Sequence, residues 1–263
     1  MQVEPIMTTP IELCKRFGDE NAVPPTYKIL ELSVQMLADA QNIYGGLREV
    51  AGENLWVGCP LVIHRRCIEP MFSMSNNIAY NKRMFCKTQN PSSDQHFLLE
   101  KSIWFNVNDK EVGNKDHTVQ SQIDLVASLM EKAVRESGGF PDIYIITPFT
   151  SVKRSLERKL HSLFKEHFSG ENFESINKWI NESCGTIHTF QGKEAAEVLL
   201  VLGCDNEKGL AAARWVGKKP NIINVAVSRA KYRVGVIGSF ELWCKIPHVQ
   251  IICDMLKDSI IDI

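Results

Sequence analysis

The sequence predicts an α/β fold with a mainly parallel sheet, and three observations carry that prediction. From about Pro60 to the C-terminus, short apolar runs that fit buried strands alternate with longer segments of helical periodicity. Two of these runs, 198–202 and 234–237, are apolar throughout or nearly so, as parallel strands buried on both faces are. Polar, glycine-containing segments adjoin the runs, and α/β proteins bind their ligands at strand ends.

Composition allows a substantial core but gives no general sign of a polyanionic partner. The 263 residues are 44% hydrophobic, and 30 Lys plus Arg balance 31 Asp plus Glu, so any nucleic-acid site must be a local patch. No apolar stretch approaches the ~18 residues of a membrane span, and the N-terminus lacks a signal peptide's apolar region. We therefore expect a cytoplasmic protein with no membrane partner.

The cysteines and histidines show no spacing typical of a metal site. The eight cysteines include no C-x-x-C pair, which predicts reduced, mostly buried thiols. His117 has no partner at ligand spacing along the chain and is expected to be solvated. The sequence thus predicts no bound metal ion within this chain.

Taken in order, the chain divides into a mostly helical lead-in, residues 1–58, and a main domain, residues 59–263. The lead-in has helix breaks at Pro24-Pro25 and Gly45-Gly46. In the main domain the pattern predicts strands at 61–64, 102–107, 142–146, 198–202 and 234–237. It predicts helices from about Met71, over 118–136, after Phe149, within 161–182, before Arg229, and over the tail 246–263.

Two segments beside the last two strands carry the most information. Thr186 to Glu194 has the pattern T-x-H-x-F-Q-G-x-E, and Asn224 to Lys231 has the pattern N-V-A-x-S-R-A-K. Taken alone, Arg229 at a helix end could simply offset the helix dipole. Together and in this order, the segments resemble motifs V and VI of superfamily 1 helicases, in the 1B branch that contains the nonsense-mediated-decay helicase and bacterial DNA helicases.

This resemblance implies a fold, a cofactor and a set of roles. The fold would be RecA-like, the three-layer α/β/α type of P-loop NTPases, and the chain would be its second, C-terminal domain. Arg229 would be the arginine finger that stabilises charge on the transferred phosphoryl group. The resemblance assigns Gln191, Gly192 and Glu194 to the nucleotide, with Glu194 accepting from the ribose. It assigns Thr186, His188 and Thr189 to the phosphates of a bound single strand.

A second resemblance lies at His64-Arg65-Arg66-Cys67, which continues as H-R-R-C-x-x-P. Adjacent arginines at a strand-to-helix turn favour an anionic or stacking partner, because they are costly to bury alone. The segment resembles the Q-Y-R-M-x-P of helicase motif IV. Arg66 then matches the arginine that contacts the γ-phosphate, and Arg65 replaces the aromatic residue that stacks on the base. The alternative is a structural ion pair with a carboxylate such as Glu69.

Thr147, Pro148 and Phe149 end a predicted strand and resemble the family's T-P-Y element, which contacts the single strand. The following helix carries four cations, Lys153, Arg154, Arg158 and Lys159. A strand end with a hydroxyl and an aromatic ring suits a phosphate and a stacked base. The alternative places Phe149 in the core and the four cations on a solvated face.

The first residues, Gln2-Val3-Glu4-Pro5, resemble the end of helicase motif III, in which Gln2 would sense the γ-phosphate. The alternative is a disordered polar start. The chain contains no G-x-x-x-x-G-K-[ST] phosphate loop and no strand-terminal D-E pair. We therefore expect ATP and Mg²⁺ to be bound mainly by an upstream N-terminal RecA-like domain of a longer polypeptide, and this chain alone to be inactive.

The prediction from sequence is the C-terminal motor domain of an ATP-dependent helicase. It would translocate on and unwind nucleic acid, with DNA favoured over RNA and a 5′ to 3′ polarity implied by the family. Two alternatives stay open. One is a catalytically degenerate RecA-like module that binds nucleic acid or a partner protein, and the other is a nucleotide-binding enzyme of unrelated chemistry.

Overall fold

The computed structural model describes residues 45–50, 53–58, 63–113, 116–167, 173–190, 193–218 and 220–263. The chain divides into two compact units, Met1–Val62 and Ile63–Ile263. In the first, β1 (Gly45–Val50) pairs antiparallel with β2 (Glu53–Gly58). The glycine pair predicted to end a helix thus begins a strand. The helical segments predicted before it, and Gln2, lie outside the described residues.

The second unit alternates strands and helices along the chain. Its strands are β3 (Ile63–His64), β4 (Phe85–Cys86), β5 (Ile103–Asn106), β6 (Ile143–Thr147), β7 (Cys184–Thr186), β8 (Ala195–Val201), β9 (Ala230–Gly238) and β10 (Ile260–Asp262). Its helices are α1 (Met71–Ala79), α2 (Gln120–Ser137), α3 (Thr150–His167), α4 (Phe173–Ser183), α5 (Leu210–Val216), α6 (Pro220–Ser228), α7 (Phe240–Trp243) and α8 (Val249–Leu256). A 3₁₀ turn, Ile187–Phe190, follows β7. In the described part of the chain, no helix has the length and apolar character needed to cross a membrane.

Six strands form the main sheet in the order β10-β5-β9-β8-β6-β7, and every neighbouring pair is parallel. All seven residues of β8 are buried, as expected for a central strand covered on both faces. β3 and β4 form a separate two-stranded parallel sheet. The predicted α/β class with a mainly parallel sheet is confirmed.

Helices cover both faces of this sheet. From β5 through β6 to β7 the chain moves toward one edge, and from β7 through β8 and β9 to β10 it moves back. Because parallel crossovers are right-handed, the two directions place α2–α4 on one face and α5–α8 on the other. The packing agrees, since α3 contacts α2 and α4, whereas α1 contacts α6 and α8. This three-layer arrangement is consistent with the RecA-like architecture.

The core extends from the sheet into both helical layers and includes two buried tryptophans. The Trp104 indole donates to the Gly238 carbonyl at 2.9 Å, and the Trp243 indole donates to the Gly203 carbonyl at 3.2 Å. Each ring therefore fills apolar space while its polar N–H has a partner. Both carbonyls lie at the carboxyl ends of central strands, so these contacts also fix the loops that leave the sheet there.

Two expectations about the C-terminal part were wrong. The tail predicted as one helix forms α8 and then an edge strand, β10, which pairs with β5. That pairing depends on a strand distant in sequence, so local periodicity could not show it. The thiols of Cys244 and Cys253 form a disulfide, whereas Cys67, Cys86, Cys184 and Cys204 are free. The disulfide Cα atoms lie 5.7 Å apart, a usual bridging distance that a nine-residue spacing does not reveal.

Candidate functional site

The predicted site residues fall at two opposite ends of the parallel strands. Glu194 and Arg229 immediately precede β8 and β9, whose first residues are register partners. Thr147 and Thr186 end β6 and β7 and are also register partners. Because all these strands run the same way, the first pair marks the amino edge of the sheet and the second pair the carboxyl edge.

At the amino edge, the segment that carries Arg66 is tied to the start of β9. The Ile68 N–H donates to the Lys231 carbonyl at 3.0 Å. The helix that follows, α1, packs on α6 and β9, and the Ser75 hydroxyl donates to Asn224 Oδ1 at 2.6 Å. These contacts bring the motif IV segment and the motif VI segment together, although they are far apart in sequence.

Two cations converge there on one carboxylate. Arg66 Nε lies 3.8 Å from Glu194 Oε2, and Lys231 Nζ lies 2.7 Å from Glu194 Oε1. The hydrogen bond to Glu194 raises the pKa of Lys231, so the ammonium stays charged. The Glu194 side chain is 42% exposed. This cation–carboxylate cluster of Arg66, Lys231 and Glu194 thus carries one excess positive charge at a surface that solvent reaches.

Arg229 lies beside the cluster but inside the protein. Its Nη1 donates to the Lys193 carbonyl at 3.0 Å, and its own carbonyl accepts from the Ala195 N–H at 3.0 Å. The residue is 0% exposed. In this conformation the predicted arginine finger is therefore shielded from solvent, one residue away from the start of β9.

The turn that presents the two arginines is anchored by a histidine that sequence reasoning assigned no role. His64 is buried, and its Nε2 accepts from the Cys67 N–H at 2.9 Å. Burial, and secondarily the charge of Arg66, lower the pKa of His64, which favours the neutral, accepting imidazole. Burial also raises the pKa of Cys67 to about 12, so its thiol stays protonated. The turn therefore holds Arg65 exposed and Arg66 half-buried.

The alternative carboxylate predicted for these arginines has another partner. Glu69 accepts from the Ser73 hydroxyl at 2.8 Å and from the Ser73 N–H at 3.3 Å, across the start of α1. The ion pair that Arg66 makes with Glu194 instead joins two predicted motifs. Gln191 and Gly192 lie outside the described residues, and the His188 side chain does as well.

A second glutamate near the start of β8 has a structural role that the sequence did not reveal. Glu197 is 3% exposed and accepts from the backbone N–H groups of Leu98 and Leu99 at 2.7 and 2.9 Å. Burial raises the pKa of Glu197, although those two hydrogen bonds oppose the shift. Only two residues thus lie between Glu194, an exposed carboxylate that meets cations, and Glu197, a buried carboxylate that fixes a loop.

At the carboxyl edge, two residues of the predicted T-P-F element face inward. Thr147 is 0% exposed, and its Oγ1 accepts from the Phe149 N–H at 3.3 Å. Phe149 is 8% exposed and packs against the His117 ring, with centroids 4.5 Å apart. Pro148, between them, is half-buried. In this conformation Thr147 and Phe149 are packed in the interior beneath the carboxyl edge.

Thr186 and Thr189 supply the accessible hydroxyls at this edge. Their Oγ1 atoms lie 3.2 Å apart, and Thr189 is exposed. Gly185 favours this geometry, because a Cβ there would lie 3.0 Å from the Phe190 ring and 3.1 Å from Thr189 Cβ. A side chain at this position would therefore require the 3₁₀ turn to shift by a few tenths of an ångström. The structure therefore brings these two predicted residues together at the surface.

Trp215 also belongs to this edge, and sequence reasoning did not single it out. Its side chain is 54% exposed, and its ring centroid lies 6.4 Å from that of Phe149. The neighbouring cations Arg214 and Lys218 are exposed as well. A tryptophan on the polar face of a short helix, beside an arginine, was the signal that could have identified it. Exposed aromatic rings flanked by cations are a common feature of single-strand binding surfaces.

The four predicted cations of α3 differ in their surroundings. Lys153 pairs with Glu157 at 3.3 Å and Lys159 with Asp124 at 2.7 Å, which offsets their charge. Arg154 and Arg158 are exposed, and Arg158 donates to the Arg154 carbonyl. The helix begins directly after β6, so its positive N-terminal end lies at the carboxyl edge.

Comparison with known proteins places the chain in a family. The profile of the AAA domain family (AAA_12) matches residues 57–241. Among curated proteins, none matches the chain. Among solved structures, the chain is similar to the C-terminal domain of a possible DNA helicase from Lactobacillus plantarum WCFS1, at 10% identity and a TM-score of 0.41, over 75% of this chain and 98% of that one. A likeness at that TM-score supports no inference about function. The profile covers more than half of the residues and spans both edges of the sheet, and the chain therefore belongs to the AAA domain family.

Proposed function

We propose that this chain is the second RecA-like domain of an ATP-dependent superfamily 1 helicase that moves along single-stranded nucleic acid, DNA in the first instance. One observation carries the proposal. Arg66 and Lys231 converge on Glu194 beside Arg229 at the amino edge, whereas Thr186 and Thr189 meet at the carboxyl edge. A motor needs such a division, because the site of hydrolysis and the track must be separate but connected.

At the amino edge, the proposed ligand is the triphosphate of an ATP held mainly by another RecA-like domain. Surface ion pairs are worth only ~0.2–1 kcal/mol, so a phosphate could take the place of Glu194 beside Arg66 at little cost. Arginine suits this exchange because its fork bonds a carboxylate and a phosphate equally well. Glu194 already meets two cations, so we assign Mg²⁺ coordination to the other domain and not to this carboxylate.

At the carboxyl edge, the proposed ligand is the sugar-phosphate backbone of a single strand. The Thr186 and Thr189 hydroxyls can donate to phosphate oxygens, which accept them regardless of sequence. Trp215 offers a face on which a base can stack, and Arg154, Arg214 and Lys218 supply exposed positive charge. These are sequence-tolerant contacts, as translocation along any strand requires.

A short stretch of chain joins the two proposed sites. Thr186 ends β7 at the carboxyl edge, and the chain then crosses through the 3₁₀ turn to Glu194 at the amino edge. A shift of Glu194 when a phosphate draws Arg66 away therefore acts on the segment that ends in the two hydroxyls. This connection is the proposed route by which hydrolysis moves the strand contacts.

A second candidate function is a RecA-like module that binds nucleic acid without catalysis. The observation that favours it is the complete burial of Arg229, whose guanidinium donates to a backbone carbonyl. The motor proposal requires that guanidinium to leave the Lys193 carbonyl when the two domains close on ATP. The two candidates therefore differ in what Arg229 does.

The test is strand-stimulated ATP hydrolysis by a polypeptide that joins this chain to a phosphate-loop-bearing first domain. Arg229→Ala should lower turnover by about 10³–10⁵-fold, the scale known for arginine fingers. Affinity for a labelled oligonucleotide, measured by fluorescence anisotropy, should not change. Because Arg229 is buried, Arg229→Lys is the second variant, which keeps the charge but loses the forked geometry.

The matched control is Arg135→Ala, which removes an exposed arginine paired with Glu131 on α2. It should leave both turnover and strand affinity unchanged. Wild-type turnover in a folded Arg229→Lys variant would remove the finger assignment and favour the non-catalytic module.

A further inference from the structure

Three residues with metal-binding side chains meet at the carboxyl edge, outside the cluster and hydroxyls described above. Glu111 lies before α2, His117 just before it, and Cys204 follows β8. One ligand atom from each, a Glu111 oxygen, a His117 ring nitrogen and Cys204 Sγ, lies within 4.8 Å of both others. Glu111 and Cys204 are buried, and the His117 side chain is 25% exposed. The three side chains thus lie close together, and solvent reaches the group at His117.

Backbone hydrogen bonds fix the three residues relative to one another. The His117 N–H donates to Glu111 Oε2 at 3.1 Å, and the Cys204 N–H donates to the His117 carbonyl at 2.9 Å. Gly203 lets that carbonyl approach, because a Cβ at this position, where φ is +63°, would collide with it. Main-chain N–H groups therefore hold both the Glu111 carboxylate and the turn that carries Cys204.

The Glu111 oxygens accept from the His117 and Asp205 N–H groups at 3.1 and 3.4 Å, but the His117 ring is not satisfied in this way. His117 Nδ1 is buried, makes no hydrogen bond with any of the residues the structure describes, and lies 3.6 Å from Glu111 Oε1. A buried ring nitrogen that lies beside a carboxylate without a hydrogen-bond partner among the described residues is available to a metal ion. Asp205 supports the arrangement with two hydrogen bonds, since its N–H donates to Glu111 Oε1 at 3.4 Å and its Oδ2 accepts from the Glu111 N–H at 3.0 Å. Hydrogen bonds to a ligating carboxylate, such as the first, commonly orient metal ligands.

We propose that Glu111, His117 and Cys204 bind a divalent transition-metal ion, with Zn²⁺ as the best match. Zn²⁺ takes thiolate, imidazole and carboxylate ligands in tetrahedral geometry, and sites with three protein ligands keep a fourth position for water or another ligand. Binding requires the Cys204 thiol to release its proton to solvent as the metal–sulfur bond forms. Mg²⁺ and Ca²⁺ match this site poorly, because both ions prefer oxygen donors to sulfur and nitrogen.

A metal ion here would clamp the segment before α2 onto the turn after β8. His117 also packs on Phe149, which contacts Trp215, so the clamp would stiffen the aromatic part of the carboxyl edge. The proposal does not depend on the function proposed above, since it concerns ligands and not a strand or a nucleotide. Ligand spacing along the chain could not reveal this cluster, because Cys204 lies in a turn that is distant in sequence from Glu111 and His117.

The test is titration of the reduced, chelator-treated chain with Co²⁺, which reports ligand type through its visible spectrum, followed by displacement with Zn²⁺. We expect one ion per chain, a tetrahedral d–d spectrum and a thiolate-to-metal charge-transfer band. Cys204→Ser should abolish that band, and both Cys204→Ser and His117→Gln should weaken affinity by at least about 10–100-fold, the scale for losing even an outer partner.

The matched control is Cys184→Ser, which removes a free, buried thiol at the start of β7. It should leave the charge-transfer band and the affinity unchanged. The proposal is overturned if the wild-type chain binds neither ion, or if the band survives in Cys204→Ser or the affinity survives in His117→Gln. His117 is the most exposed of the three ligands, so its variant tests the site even if the serine variant fails to fold.

Discussion

The two edges of the central sheet differ in how their charged and polar side chains are held. At the amino edge, Arg66 and Lys231 are already engaged with Glu194, and Arg229 is enclosed. At the carboxyl edge, Thr189 and Trp215 are exposed, and the cations beside them, Arg154, Arg214 and Lys218, are exposed as well. Concentrated, preorganised charge suits the terminal phosphates of one nucleotide. Exposed hydroxyls and rings suit a long strand that must be gripped and released.

This difference indicates which edge should be more sensitive to the loss of a single side chain. A group that stabilises charge in a transition state contributes through its fixed position, so its loss should strongly affect turnover. A contact to a moving strand is one of many, so its loss should only moderately affect affinity. Each prediction below either sharpens or breaks this division, beginning with the largest expected effect.

Arg66→Ala should act on the amino edge alone. It removes one preorganised donor, and we expect ATP turnover in the two-domain polypeptide to fall by about 10²–10³-fold. Strand affinity of the chain, measured by anisotropy without nucleotide, should stay at the wild-type value. Steady-state hydrolysis at saturating ATP and strand is the measurement.

Arg83→Ala, which removes an exposed arginine just after α1, is the matched control and should change neither quantity. If Arg66→Ala weakens strand binding as much as turnover, the two edges are not functionally separate, and the comparison fails.

Sequence reasoning found the amino edge better than the carboxyl edge, and the reason is physical. Glu194 and Arg229 lie in polar segments next to apolar runs, so the pattern located them near buried strands, although the predicted strands began three and four residues after the observed starts. That Arg66 lies near Glu194 followed only from a resemblance, because the contact between Ile68 and Lys231 joins distant parts of the chain. The order of the motifs indicated this long-range proximity, whereas the periodicity of apolar residues reports only local structure.

At the carboxyl edge the sequence identified candidate residue types, but it did not show which of their side chains are exposed. Thr147 and Phe149 end a strand, and nothing in their local pattern shows that the loop carrying His117 covers the phenylalanine. Trp215 was missed for the converse reason, since a tryptophan in a short helix is most often buried. Exposure is a property of tertiary packing, so these assignments required coordinates.

Trp215→Ala tests the aromatic part of the carboxyl edge. A stacked base contributes ~1–3 kcal/mol, so we expect about 5–150-fold weaker binding of a labelled oligonucleotide. Strand-independent ATP hydrolysis in the two-domain polypeptide should stay unchanged. Leu210→Ala is the matched control, because Leu210 is an exposed apolar residue on the same helix but has no π-face. Equal losses in both variants would mean that the helix surface acts by apolar contact and not by stacking.

Thr189→Val should have the smallest effect of the series. It keeps the side-chain shape but removes one hydroxyl, and a single hydrogen bond contributes ~0.5–1.5 kcal/mol, so strand affinity should fall by no more than about 2–13-fold. The Thr186 and Thr189 Oγ1 atoms lie 3.2 Å apart and hydrogen-bond to each other. One of the two hydroxyls donates to the other, so only one O–H remains to donate to a phosphate. Losing either hydroxyl should therefore leave the other free to serve the same phosphate.

The double variant Thr186→Val with Thr189→Val decides whether the two hydroxyls act as one unit. If they serve the same phosphate, the loss in the double variant should exceed the sum of the two single losses, because only then is the phosphate left without a donor. Ser93→Ala, in the exposed loop after β4, controls for loss of a surface hydroxyl and should have no effect. Strictly additive losses would mean that each threonine meets a separate phosphate, and the strand would then run along the 3₁₀ turn and not across its end.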